Sequence, residues 1–173
     1  GRLESAALIQ VATPSRERID SYKATRAGVE EAVGRINGRY GKLGRPVVHY
    51  EHHAVPKSQL RNYYSAADIM LVTPFKDGMN LVAKEYVACH PDGSGALVLS
   101  EFAGAAVELN RAHVCNPFDV ESVKNSIVAA IEAQDSPAAR DAMMQMNAHV
   151  REHDVSRWAE AFLSELAAVR RNR

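Results

Sequence analysis

Five short strand-like runs alternating with helical patterns predict an α/β chain. The expected core is an open, mainly parallel, Rossmann-like sheet of about five strands with helices on both faces. Two observations carry this. The run at residues 7–12 is largely apolar and those near 70 and 97 are continuously so, as in buried parallel strands. Most of the segments between them are long enough for the crossovers that parallel strands require.

Residues 7–12, Ala-Leu-Ile-Gln-Val-Ala, read as the first buried strand, and Thr13-Pro14-Ser15 ends it. Ser15 is a good cap, with Glu17 and Arg18 in the first turn of a helix over 16–37. Ile19, Tyr22, Val29, Val33 and Ile36 give it an apolar stripe. Arg16 falls at the strand's carboxyl end, the edge along which open α/β sheets bind ligands, and its planar fork suits a phosphate. Gly34 to Gly44 holds four glycines in eleven residues. It follows a helix rather than a strand, so helix termination and a surface loop are expected, not a phosphate cradle.

Residues 47–52 read as the second strand, with the loop His53-Ala54-Val55 at the same edge. A helix from Lys57 to Ala67 follows, with Pro56 in a favoured early position and Leu60, Tyr63, Tyr64 and Ala67 on its apolar face. Asp68–Thr73 is the third strand and Ala96–Leu99 the fourth. Ser100–Gly104 opens a short helix in which Glu101 serves either as a sugar ligand or as a cap. Ala112–Cys115 is the fifth strand. Asp119 caps a helix to Ala133 on which Val120, Val123, Ile127, Val128 and Ile131 share a face. Two further helices are expected over Pro137–Glu152 and Ser156–Val169. Met143, Met144 and Met146 read as packing residues. His149 and His153 lack a third ligand or a catalytic Glu, so no metal site is expected.

The chain has 173 residues, 46% hydrophobic and 24% charged, the balance of a water-soluble globular protein with a proper core. Lys plus Arg and Asp plus Glu both number 21, so no general field draws it to nucleic acid or an anionic membrane. No apolar run approaches the roughly 20 residues that span a bilayer. Two cysteines, Cys89 and Cys115, read as free thiols in a reducing cytosol. The opening Gly-Arg-Leu-Glu-Ser does not resemble a signal peptide, and it leads directly into a strand without Met. The expectation is a cytoplasmic piece of a longer protein.

Asp77-Gly78-Met79-Asn80-Leu81-Val82-Ala83-Lys84-Glu85 joins the third strand to a helix running to His90. Gly78 is expected to turn the backbone tightly and let a ligand approach. Asn80 is a good N-cap. The free N–H groups of the first helical turn suit a phosphate or diphosphate. Glu85, one turn in, is placed to accept hydrogen bonds from a ribose diol, and Asp77 from sugar hydroxyls.

The string Thr73-Pro74-Phe75-Lys76-Asp77-Gly78-Met79-Asn80-Leu81-Val82-Ala83-Lys84-Glu85-Tyr86 resembles the donor-sugar motif of the trehalose-phosphate synthases, retaining glycosyltransferases of GT-B architecture. Thr13-Pro14-Ser15-Arg16, Gly34-Arg35-Ile36-Asn37-Gly38 and Leu97-Val98-Leu99-Ser100-Glu101-Phe102-Ala103-Gly104-Ala105-Ala106 resemble the same family, in its order. The specific motifs cover residues 8–133.

This resemblance implies transfer of glucose from UDP-glucose to glucose 6-phosphate, giving trehalose 6-phosphate and UDP without a required metal or other cofactor. Asp77, taken as the catalytic residue, bonds glucose hydroxyls. Gly78, Met79 and Asn80 present N–H groups to glucose and phosphate, and Leu81, Val82 and Ala83 line the diphosphate site. Glu85 grips the ribose, and Lys84 either assists or faces solvent. Backbone at Ala54 meets the uracil, and Arg16 contacts the acceptor's phosphate. The whole chain, 1–173, is then a donor-binding domain, the carboxyl-terminal half of a GT-B fold truncated at its start. Residues 154–170, with Trp158, Phe162 and Leu166, form a crossover helix toward an acceptor domain, to be exposed, mobile or packed on another copy if that domain is absent. The family's Arg and Lys for the diphosphate lie in an Arg-Leu-Asp-Tyr-like segment that this sequence does not contain. The chain alone is therefore expected to be inert and a weak binder at most. Competing readings are a related transferase with another phosphorylated acceptor, such as glycerol 3-phosphate, and a non-catalytic regulatory domain that keeps the donor site.

Overall fold

The computed structural model describes residues 5–14 and 19–171, apart from the side chains of residues 170 and 171. The chain divides into two compact units, residues 1–60 and 61–173. In the first, β1 (Leu8–Val11) pairs in parallel with β2 (Val48–Glu51), Leu8 opposite Val48 and Val11 opposite Glu51. The long helix α1 (Asp20–Tyr40) connects them and packs on β2. The first strand is not buried: Leu8 and Ile9 are 43% and 56% exposed. One hydrogen-bonded neighbour and a helix that packs on β2 leave β1 uncovered.

Helix α1 starts at Asp20, after an extended Ile19 with no side-chain cap; the expected start at residue 16 lies outside the described residues. Ile19 and Tyr22 of the expected stripe are exposed. The helix also runs three residues past Asn37, with Gly34 and Gly38 inside it. It ends at Gly41, where a Cβ would stand 2.5 Å from the Asn37 carbonyl oxygen.

Asn37 explains part of the glycine-rich motif. Its amide nitrogen donates to the Val48 carbonyl at 2.8 Å, while its Oδ1 accepts from the Val47 and Val48 N–H groups at 3.0 and 2.9 Å. One side chain thus acts as a strand would and fixes where β2 begins. Asn37→Ala strips all three partners. We expect it to destabilise the first unit by about 2 kcal/mol, the cost of leaving backbone groups unpaired, and to speed amide exchange at Val47 and Val48.

In the second unit β3 (Ile69–Val72), β4 (Ala96–Ser100) and β5 (His113–Cys115) form a parallel sheet with β4 in the middle. Every residue of β4 is buried, which is why its sequence does not alternate. Ala96, Val98 and Cys115 face Ala130, Val123 and Ile127 of α5 (Val120–Ala133). By the two-residue period, Leu97 and Leu99 lie on the other face. There α3 (Leu81–Ala88) packs on β3 and β4, so helices cover both faces as expected. The α5 cap is Asp119, whose Oδ1 accepts from the Glu121 N–H at 3.0 Å. Val120, the first helical residue, is exposed rather than part of the buried face.

Helix α2 (Lys57–Ala66) precedes β3 and buries Tyr64. The short α4 (Ala105–Glu108) follows β4 one turn later than expected, because residues 101–104 form a turn. Helix α6 (Pro137–Glu152) packs on α3 through buried Met143 and Met146, and Asn147 donates to the Val87 carbonyl at 2.8 Å. Met144 is exposed instead. Buried Tyr86 ties α3 to the sheet: its hydroxyl donates to the Ala67 carbonyl and accepts from the Ala96 N–H. Burial raises that phenol above its usual range. Helix α7 (Val155–Arg171) leaves Trp158, Phe162, Leu163 and Leu166 exposed, with Trp158 stacked on Phe162. Among the described residues no helix is long and apolar enough to cross a membrane.

Candidate functional site

The loop after β3 is fastened to the loop after β4. Asp77 N–H donates to the Phe102 carbonyl at 3.2 Å, Gly104 N–H to the Asp77 carbonyl at 3.0 Å, and Ala105 N–H to the Met79 carbonyl at 2.7 Å. The parallel pairing of the strands thus continues past their carboxyl ends, as the Asp77–Ala103 bridge shows.

A relay of side chains then sets the start of α3. Asp77 Oδ1 accepts from the Met79 N–H at 3.1 Å, and Oδ2 accepts from the Asn80 amide at 3.0 Å. Asn80 Oδ1 in turn accepts from the Ala83 N–H at 3.0 Å. Asn80 is held in the left-handed region, φ 76°, which asparagine tolerates better than most residues.

The tight turn expected at Gly78 is therefore at Asn80. Gly78 has no positive φ, and a Cβ there would meet nothing within 4 Å. The close approach belongs to Gly104, where a Cβ would stand 2.1 Å from the Gly78 carbonyl oxygen. Gly104 is the glycine this loop pair requires.

The nine residues of the joint divide by role. Ala83 is fully buried and its N–H is taken, so its side chain belongs to the core. The Met79 N–H is likewise taken by Asp77. Leu81 and Val82, the first two helical positions, are exposed, and no described residue accepts from their N–H groups. Glu85 is exposed, one turn on, and its Oε2 accepts from the Tyr64 hydroxyl at 3.0 Å. Burial, then the hydrogen bond to Glu85, pushes the Tyr64 phenol up to about 12.

Lys84 does not face solvent. Its Nζ donates to both oxygens of Glu108, at 2.8 and 2.9 Å, and His149 Nε2 lies 3.4 Å from the same carboxylate. The Lys84 hydrogen bond holds the Glu108 carboxyl below its usual value, against an opposing effect of burial. A carboxyl depressed on folding stabilises above its unfolded pKa, about 4.3, and loses that contribution as pH falls through the folded value. Glu108→Gln is therefore expected to lower the thermal midpoint at pH 7. The gap to the wild type should narrow and close as pH falls through the folded value, as scanning calorimetry over a descending pH series would show.

Three exposed phenylalanines, one after each strand of this sheet, form a cluster at its carboxyl edge. Phe75 and Phe118 stack at 4.7 Å between ring centres, and Phe102 meets Phe118 edge-on at 5.6 Å. The sequence carries a signal for them, a Phe two or three residues past each strand end, which a search for polar ligands passes over. Tyr64 was readable only as part of a packing stripe. Glu101 caps nothing; its N–H donates to the Cys115 carbonyl. Ala54 is exposed in the loop after β2, within the first unit. Arg16 lies outside the described residues.

Comparison with known proteins gives one consistent answer. The sequence profile of glycosyltransferase family 20 matches residues 3–168. The chain is 55% identical over 164 residues to the trehalose-6-phosphate synthase of Mycobacterium leprae, covering 95% of this chain and 33% of that protein. It therefore spans about a third of the length of the curated relatives it matches. Among solved structures, the E. coli trehalose-6-phosphate protein bound with UDP-2-fluoro glucose superposes with a TM-score of 0.86 at 40% identity, over 92% of this chain and 36% of that one. An α,α-trehalose-phosphate synthase (UDP-forming) from Burkholderia xenovorans, in complex with glucose-6-phosphate, gives 0.85 at 37% identity, over 93% and 35%. The α/β architecture is that of part of a GT-B glycosyltransferase. With the profile spanning nearly its whole length, the chain belongs to glycosyltransferase family 20.

Proposed function

We propose that this chain is the donor-binding part of an α,α-trehalose-phosphate synthase (UDP-forming). The complete protein would move glucose from UDP-glucose to glucose 6-phosphate, with retention, and release trehalose 6-phosphate and UDP. The observation that carries this is the joint itself. A fastened loop precedes a helix whose first N–H groups have no described acceptor, with an exposed carboxylate one turn beyond. The relatives' names and the two ligand-bound neighbours support the same donor and acceptor.

In this reading the diphosphate sits at the start of α3, where partial positive charge and the N–H groups of Leu81 and Val82 offset the charge of departing UDP. Gly78, open on its Cβ side, allows the sugar close to the backbone. Asp77 keeps a lone pair on each oxygen beyond its internal bonds and accepts from glucose hydroxyls. Glu85 accepts from the ribose diol. Lys84 takes no direct part; its ammonium is held by Glu108. The reaction as read requires no metal, and its only small-molecule partners are the two sugar substrates.

The acceptor domain and the cationic side chains for the diphosphate belong to the remainder of such an enzyme. Residues 154–170 are then the crossover helix, its exposed apolar face covered by that domain or by a second copy. The two free cysteines suit a cytoplasmic setting. The test is an assay with UDP-glucose and glucose 6-phosphate. The full-length protein is expected to form trehalose 6-phosphate, and the 173-residue chain to form none. Transfer by the isolated chain would show that this division of labour is wrong.

A further inference from the structure

Glu85 presents a problem that the donor reading leaves open. A glutamate on an exposed helix face has three rotatable bonds, and fixing it on binding costs conformational freedom. Among the described residues no cation holds it in place, and the neighbouring Lys84 is committed to Glu108. Its one side-chain partner among the described residues is the Tyr64 hydroxyl, 3.0 Å from Oε2. Oε1 has no such partner.

Tyr64 is suited to fix a direction. It comes from α2, a different element, twenty-one residues earlier in the chain. Its ring is buried, only 8% exposed, so its hydroxyl is held by packing rather than by the bond it makes. A tyrosine has one O–H to give and two side-chain torsions to fix. Its single donor therefore selects one carboxylate oxygen and leaves the other unused. Vicinal hydroxyls need an acceptor that is charged, exposed and already oriented.

We propose that Tyr64 is the positioning residue of the donor site: it holds Oε2 of Glu85 so that Oε1 is presented to the vicinal hydroxyls of a nucleotide's ribose. This rests on the assignment of Glu85 to the ribose. The raised phenol agrees with it, since Tyr64 stays a donor throughout the physiological range.

The experiment is calorimetric titration of the chain with UDP and with 2′,3′-dideoxy-UDP, for the wild type, Tyr64→Phe and Glu85→Gln. Phenylalanine keeps the ring and its burial and removes only the donor. The wild type is expected to prefer UDP. Tyr64→Phe should weaken UDP about threefold to tenfold, the effect of re-ordering one side chain on binding, and leave the dideoxy ligand unchanged. Glu85→Gln should lose most of the preference between the two. Equal wild-type affinity for both ligands would remove the ribose from Glu85 and take the proposal with it. A preference that Glu85→Gln loses but Tyr64→Phe keeps would overturn the role of Tyr64 alone. So would an equal loss for both ligands in Tyr64→Phe, which is the mark of a packing residue.

Discussion

Gly104→Ala is expected to detach the donor loop from the loop that supports it. The added Cβ would stand 2.1 Å from the Gly78 carbonyl oxygen and 2.9 Å from its carbon. Both are backbone atoms, so no side chain can swing away. Either the loop after β3 or the turn after β4 must move. Three hydrogen bonds hold them together, from Asp77, Gly104 and Ala105, and a shift large enough to clear the clash breaks at least one. Overpacking of this kind costs roughly 1–3 kcal/mol, and each lost bond adds about 1. The second unit should lose about 3 kcal/mol of stability, readable by denaturant titration. UDP binding should fall more than tenfold, because Asp77 and Asn80 set the start of α3 from that loop. Gly78→Ala is the control. Its Cβ meets nothing within 4 Å, so stability should hold while donor binding weakens.

Glu85→Ala is the second large effect, and it should fall on binding rather than on folding. Glu85 is exposed and gives up one part-buried hydrogen bond, from the Tyr64 hydroxyl, so stability should fall by only about 1 kcal/mol. A hydrogen bond from a ribose hydroxyl to a carboxylate is worth about 1.5–3 kcal/mol, or roughly tenfold to a hundredfold in affinity. Calorimetric titration with UDP would read this directly. An alanine variant that binds UDP as well as the wild type would take Glu85 out of the site.

The sequence announces those parts of the molecule that depend on neighbours along the chain. Ile69–Val72 and residues 96–99 are unbroken apolar runs because helices cover both faces of their sheet. Asp119 sits where a cap is expected and accepts an N–H from the first turn of its helix. What neighbours along the chain cannot convey is which distant groups meet. Nothing near Asp77-Gly78 reveals that residue 104 is the glycine that cannot carry a side chain. The usual preference of glycine for turns pointed to Gly78, yet the positive φ went to Asn80, stabilised by its bonds to Asp77 and Ala83. Lys84 and Glu85 are adjacent on one helix but find partners at Glu108 and Tyr64, residues brought in by α4 and α2. The apolar first strand misled for the same reason: composition marks a strand as fit for burial, while Leu8 and Ile9 remain exposed.

In the proposed donor site a nucleotide diphosphate and its ribose bind along the first turns of α3. Amide chemical-shift mapping of the chain with increasing UDP tests this most directly, since it reports location as well as affinity. The expected result is a set of saturable shifts concentrated on Gly78–Glu85 and on Tyr64, with the Leu81 and Val82 amides among the largest. Saturable shifts centred elsewhere, with the Leu81 and Val82 amides unmoved, would take the diphosphate away from α3.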